Sequence, residues 1–182
     1  MNNFYVKIKT FGKEMLSALM PKQPLKKIKF REWEFEVDCE LTRYTYSKAV
    51  FSGAESCMCN DCKNYVAFRD NVFSDEIKKL FFDLGVDYRK ESELCSYEVL
   101  PNGLHHVGGW FHFKGRVLCG EDYREPITNG NHSFNLTKIT DKFSIGFAEG
   151  SHLTYFDKKK DLIQIEFLTY IPWVIDKSLE II

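Results

Sequence analysis

From Trp33 to Leu41 every second side chain is apolar: Trp33, Phe35, Val37, Cys39 and Leu41 alternate with Glu34, Glu36, Asp38 and Glu40, and Glu32 precedes them. Only a β-strand sorts such a series onto two faces, because its side chains repeat with a period of two. The spacing therefore predicts a strand over residues 31–41, with residues 42–51 as its continuing or returning partner. Like charges two positions apart on one strand face lie roughly 7 Å from each other and repel unless cations stand across from them. The acidic face of Glu32, Glu34, Glu36, Asp38 and Glu40 has two readings. It is a solvated surface matched by lysines such as Lys7, Lys9, Lys26 and Lys29, or it is a docking surface for a basic partner protein.

The other patterns extend the same fold class. Residues 5–11 alternate as a short strand, and Phe11, Met15, Ala18 and Leu19 follow helical spacing up to Pro21. The clearest helix covers residues 75–84. Ser74 stands as N-cap, Asp75 and Glu76 suit the positive helix end, Gly85 stops it, and Ile77, Leu80, Phe81 and Leu84 form one apolar stripe. Residues 64–68 read as a short strand or a helical turn, and residues 87–93 as a further turn of helix. The C-terminal half reads as a meander: residues 97–100 and 104–118 around Pro101-Asn102-Gly103, then strands over 132–139, 143–147, 153–156 and 162–171. Gly108-Gly109 inside a strand predicts a bulge or a close backbone approach. The fold class is α+β, mostly antiparallel sheet in a meander or sandwich-like arrangement. Residues 1–182 read as one domain, with residues 1–24 as a basic N-terminal arm packed on it.

Charge and composition narrow the setting. Residues 1–31 carry eight Lys/Arg against one Glu, whereas the remainder is net acidic, so the overall charge of −1 conceals a basic arm before an acidic body. The acidic body argues against a broad phosphate-binding surface, and so against nucleic acid as a partner. The N-terminus lacks the apolar core of a secretory signal, and no uncharged apolar run approaches about 18 residues. The expected location is the cytoplasm, where thiols stay reduced.

Three of the six cysteines, Cys57, Cys59 and Cys62, fall within six residues. The C-x-C-x-x-C spacing supplies three soft ligands from one loop, and zinc takes four in a tetrahedron. A fourth has to come from Cys39, Cys95, Cys119 or a histidine, with His106 and His112 the candidates on the Gly-Gly-Trp strand. An iron–sulfur cluster needs similar help. The loop also reads as three reduced thiols closing a tight turn, or as a redox pair, although Cys59-Asn60-Asp61-Cys62 does not begin a helix in the thioredoxin manner. His105 and His106, being adjacent on a strand, point to opposite faces, while His106, Trp110 and His112 share one. No catalytic signature of nucleophile, phosphate loop or H-E-x-x-H type is present.

Cys57-Met58-Cys59-Asn60-Asp61-Cys62-Lys63-Asn64-Tyr65 resembles a C-x-C-x-x-C-x-N-[aromatic] motif of small bacterial proteins of uncharacterised function. Leu84-Gly85-Val86-Asp87, the strand from Gly108 to Gly115, and Pro172-Trp173-Val174 match further segments of that group. The resemblance spans roughly residues 57–175 and implies a bacterial, cytoplasmic single domain without naming an activity. Taken together, these features predict a non-enzymatic interaction protein, immunity-like in presenting an acidic face to a basic partner. The alternative is a zinc-binding module or metal-dependent enzyme built on Cys57, Cys59 and Cys62.

Overall fold

The computed structural model describes residues 24–127 and 132–180. The expected strand over residues 5–11, the short N-terminal helix and most of the basic arm lie outside the described residues. Within them, the architecture is a mostly antiparallel sheet with helices packed on one face, an α+β fold.

The elements in chain order are β1 (Lys26–Phe30), β2 (Trp33–Val37), α1 (Cys39–Lys48), α2 (Gly53–Ser56, a single turn), α3 (Asn60–Phe68) and α4 (Asp75–Leu84). They are followed by β3 (Glu93–Val99), β4 (His105–Cys119), β5 (Arg124–Pro126), β6 (His132–Phe134), β7 (Thr137–Thr140), β8 (Phe143–Glu149) and β9 (Leu162–Ile171). The large sheet runs β1-β2-β4-β9-β8-β7, with β3 also paired to β4, while β5 and β6 form a separate two-stranded ribbon.

Strand β4 organises this sheet. One of its edges pairs with β9 from His105 to Lys114. The other edge is shared: β3 takes residues 105–110 and β2 takes residues 115–119. The stretch between them has no strand partner, and helix α1 fills the gap with side chains. The Tyr46 hydroxyl donates to the His112 carbonyl at 2.9 Å and accepts from the His112 N–H at 3.0 Å. Thr42 Oγ1 accepts from the Lys114 N–H at 3.0 Å, and the Asp38 N–H donates to the Lys114 carbonyl at 2.8 Å. Buried backbone groups require partners, and here a tyrosine and a threonine supply what a strand would.

This arrangement corrects the strand expected over residues 31–41. The alternation holds only through Val37. Arg31 and Glu32 form the turn between β1 and β2, and Asp38 caps α1 by accepting from the Leu41 N–H at 2.9 Å. Cys39, Thr42 and Tyr46 then face inward at helical spacing, so residues 42–48 belong to a helix rather than a returning strand. Asn60 to Phe68 is a helix rather than a strand or lone turn, residues 87–93 carry no helix, and residues 153–156 lie in the long β8–β9 loop rather than in a strand.

Other expectations hold in detail. Helix α4 spans Asp75–Leu84, capped by Ser74 and ended by Gly85 in the left-handed conformation at φ 81°. A side chain there is excluded twice, since a Cβ on Gly85 would also lie 2.3 Å from the Cys39 carbonyl. Gly108-Gly109 is a close approach: a Cβ on Gly109 would meet the Glu93 carbonyl at 2.4 Å. The accompanying bulge sits in the partner strand β3, between Ser96 and Glu98.

The core lies between the helices and the sheet face carrying Phe111, Phe113, Ile165 and Phe167, and one continuous apolar cluster joins them. Phe73 is its aromatic centre, edge-on to Phe81, Phe111, Phe143 and Phe167 at centroid distances of 5.3–5.9 Å. Truncating Tyr46 tests the helix-for-strand substitution. Tyr46→Phe keeps the ring and strands both backbone groups of His112, at about 1–3 kcal/mol for each buried group. A loss of about 2–4 kcal/mol in urea unfolding is expected, and a loss below about 0.5 kcal/mol contradicts the role assigned to this hydroxyl.

Candidate metal centre

Two helix caps placed back to back build the cysteine loop. Helix α2 opens with a capping box: Ser52 Oγ accepts from the Glu55 N–H, and the Glu55 carboxylate accepts from the Ser52 N–H at 2.8 Å. Its C-cap is Cys57, whose N–H bonds the carbonyls of Gly53 and Ala54. Only Met58 intervenes before Cys59, the N-cap of α3, whose sulfur accepts from the Cys62 N–H at 3.4 Å. Cys59-Asn60-Asp61-Cys62 therefore does begin a helix, contrary to the sequence reading. A cysteine is an uncommon N-cap, and nothing in the local pattern advertised it.

The three sulfurs lie within 4.8 Å of one another, with Cys57 and Cys59 3.2 Å apart. Tetrahedral zinc with Zn–S bonds of about 2.3 Å sets its sulfurs about 3.8 Å apart. The group therefore needs adjustments of about an ångström or less to close on an ion. Cys57 and Cys59 are exposed and Cys62 is buried. Hydrogen bonds from the Cys59 backbone and from the Cys59 and Cys62 thiols hold the Cys57 thiol below its ordinary value, whereas burial pushes Cys62 up. Three close cysteines can hold a metal ion, and no disulfide joins them.

A buried polar network holds the platform beneath the loop. Arg69 pairs with Glu55 at 2.8 Å and donates to the Arg89 carbonyl, and Lys90 reaches Glu55 at 2.8 Å. Burial alone would raise the Glu55 carboxyl, but hydrogen bonds from Lys90, Arg69 and Ser52 outweigh it and hold the group at about 2. Glu91, fully buried, accepts from the Ala54 N–H and ties α2 to the start of β3.

The C-terminal segment straps the other side. Asn64 of α3 donates to the Pro172 carbonyl at 3.0 Å and accepts from the Val174 N–H at 2.7 Å, and Asn60 donates to the Leu179 carbonyl. His105 binds Glu180 at 2.8 Å, approaches Asp61 at 3.8 Å and lies against the Trp173 ring at a centroid distance of 5.0 Å. The motif asparagine and the Pro-Trp-Val segment, distant in sequence, are thus direct partners.

Neither His106 nor His112 joins the three sulfurs; among the described residues, no histidine, carboxylate or further cysteine does. Both occupy the sheet face turned away from the helices, as their register with Tyr170 and Gln164 shows. The histidine turned towards α3 is His105, and its nitrogens are engaged by carboxylates. Adjacent histidines on a strand must split between faces, yet which face would receive the helices is invisible locally.

The five acidic residues do not form a single ladder. Glu32 lies in the β1–β2 turn and accepts from Thr137, Asp38 caps α1, and Glu40 is on α1 paired with Arg43 at 2.6 Å. Glu34 and Glu36 remain on the outer face of β2, where Lys27 approaches Glu34 at 3.8 Å and Arg116 meets Glu36 at 2.7 Å. Among the described residues no helix is long and apolar enough to cross a membrane.

Comparison with protein-family models, with curated proteins and with solved structures returned no match.

The outer sheet face also buries His112, the ligand candidate, and Glu166, which the sequence did not single out. Burial holds the His112 imidazole at about 4, and its Nε2 has no hydrogen-bond partner among the described residues. Burial raises the Glu166 carboxyl to about 7, against hydrogen bonds from Gln164 and Tyr123. The two oppose each other in pH. His112 titrates near 6.5 when unfolded, so the unfolded chain binds that proton first and stability falls as pH drops from 6.5 towards 4. Glu166 titrates near 4.5 when unfolded, so the folded chain binds that proton first and stability falls as pH rises from 4.5 through 7. Glu166→Gln removes only the second slope. The variant gains on the parent by up to about 3 kcal/mol between pH 5 and pH 8 in urea unfolding, and an equal offset at both pH values contradicts the assignment.

Proposed function

We propose that this protein binds a thiophilic metal ion, zinc foremost, through Cys57, Cys59 and Cys62. The observation that carries this reading is the convergence of three sulfurs within 4.8 Å at two abutting helix caps. Soft thiolates select zinc or copper(I) over magnesium and calcium. A site held by caps loses little chain entropy when the ion enters, which favours binding without refolding. The three sulfurs leave one tetrahedral position for water, a small ligand or a donor from a partner. A reduced intracellular compartment suits such a site. An immunity-like role through the acidic face has less support, because Glu34, Glu36 and Glu40 already meet cations of their own chain.

Purified, tag-free protein is expected to carry up to one equivalent of zinc. The chelated protein is expected to develop the near-ultraviolet sulfur-to-metal band of a three-thiolate site on cobalt(II) titration. Cys57→Ser, at an exposed position, weakens the affinity by about tenfold or more without unfolding the chain. Affinity falls as pH is lowered, since each ligand must shed its proton to bind. Less than about 0.2 equivalent of zinc together with no cobalt band overturns the reading.

A further inference from the structure

We infer that Cys57 and Cys59 form a peroxide-responsive dithiol whose oxidation to a disulfide dismantles the metal site. The metal-release half of this inference rests on the proposed metal binding; the disulfide half rests on the thiols alone.

The geometry selects this pair among the three cysteines. Their sulfurs are 3.2 Å apart and a disulfide bond is about 2.05 Å, so closure needs a movement of roughly 1.2 Å. The loop can supply it. The single residue between them, Met58, is 80% exposed. Both cysteines are exposed and open to a small oxidant, whereas Cys62 is buried in the first turn of α3 and fixed by that helix. A Cys59–Cys62 bond would require a group set in the core to move. Access and freedom of movement therefore separate Cys57 and Cys59 from Cys62.

The reaction with hydrogen peroxide balances without another reactant. The Cys57 sulfur attacks one peroxide oxygen and the O–O bond breaks, giving a sulfenic acid and one water. The Cys59 sulfur then attacks the Cys57 sulfur, the S–O bond breaks, and the hydroxyl leaves as a second water with the Cys59 proton. Two thiols and one peroxide become one disulfide and two waters, and two electrons pass from sulfur to oxygen. Thiol–disulfide exchange with an external dithiol reverses it. Because the disulfide consumes two of the three ligands, the oxidised loop cannot retain the ion, and a bound ion conversely shields both sulfurs.

The test treats metal-free, fully reduced protein with one equivalent of hydrogen peroxide, followed by differential alkylation before and after reduction. Two of the six free thiols are expected to disappear without formation of a covalent dimer. Cys62 is labelled on unfolding, Cys57 and Cys59 only after reduction, and the exposed Cys119 reacts later as an internal control. Cys57→Ser and Cys59→Ser each abolish the intramolecular bond. Zinc-loaded protein releases its ion to a chromogenic chelator in step with disulfide formation. A disulfide that includes Cys62, an intermolecular disulfide, or oxidation no faster than that of Cys119 overturns the inference. Disulfide formation in a protein that never takes up zinc refutes the metal reading and leaves the dithiol standing. Zinc binding with a pair that resists peroxide refutes the dithiol alone.

Discussion

The hydroxyl of Tyr46 takes both backbone groups of His112 in the middle of β4, at 2.9 and 3.0 Å. Strand β4 is fifteen residues long, and neither β3 nor β2 reaches its central edge. An unpaired N–H and C=O in a buried strand would cost several kilocalories per mole between them. Tyr46, with Thr42 and the Asp38 N–H, removes that cost and locks α1 against the sheet. Helix α1 then presents Arg43 to α4 and Cys39 to Gly85, so the helical layer takes its position from this repair of one strand edge.

The cysteine loop depends on a second buried polar arrangement. The Ser52–Glu55 capping box, Arg69 and the fully buried Glu91 fix helix α2, and Asn64 ties α3 to the segment after β9. Two short helices anchored in this way cannot drift apart, and the residues at their facing ends are forced together. The proximity of Cys57, Cys59 and Cys62 follows from where those helices stop and start. The exposed Met58 leaves the loop one direction in which to adjust, which both ion capture and disulfide closure require.

Legibility in the sequence tracked how local each feature was. Helix α4 could be read to the residue because its cap, stripe and glycine stop all lie within a dozen positions. The hairpin at Pro101-Asn102-Gly103, the long β4 and β9 strands and the division of His105 from His106 follow equally from local chemistry and period. The alternation from Trp33 to Leu41 misled beyond Val37, because Cys39 and Leu41 continue a strand pattern while Cys39, Thr42 and Tyr46 satisfy a helical one. Asp38 decided between them by capping. The fourth-ligand candidates failed for a different reason: His106 and His112 were correctly placed on one face, but the helices cover the other.

By itself the sequence determined the α+β class, the antiparallel character of the sheet, the best helix and the presence of three clustered thiols. Those features depend on the chain's own periodicity and turn chemistry. Only the tertiary structure decided that residues 39–48 would be helical, that Cys59 would cap α3, and that the three sulfurs would stand at the junction of two helices facing away from His106 and His112. Each of those outcomes depends on hydrogen-bond partners far away in sequence, such as His112 for Tyr46, Glu91 for α2 and Pro172 for Asn64. The contacts that choose among locally acceptable conformations exist only once the sheet has formed.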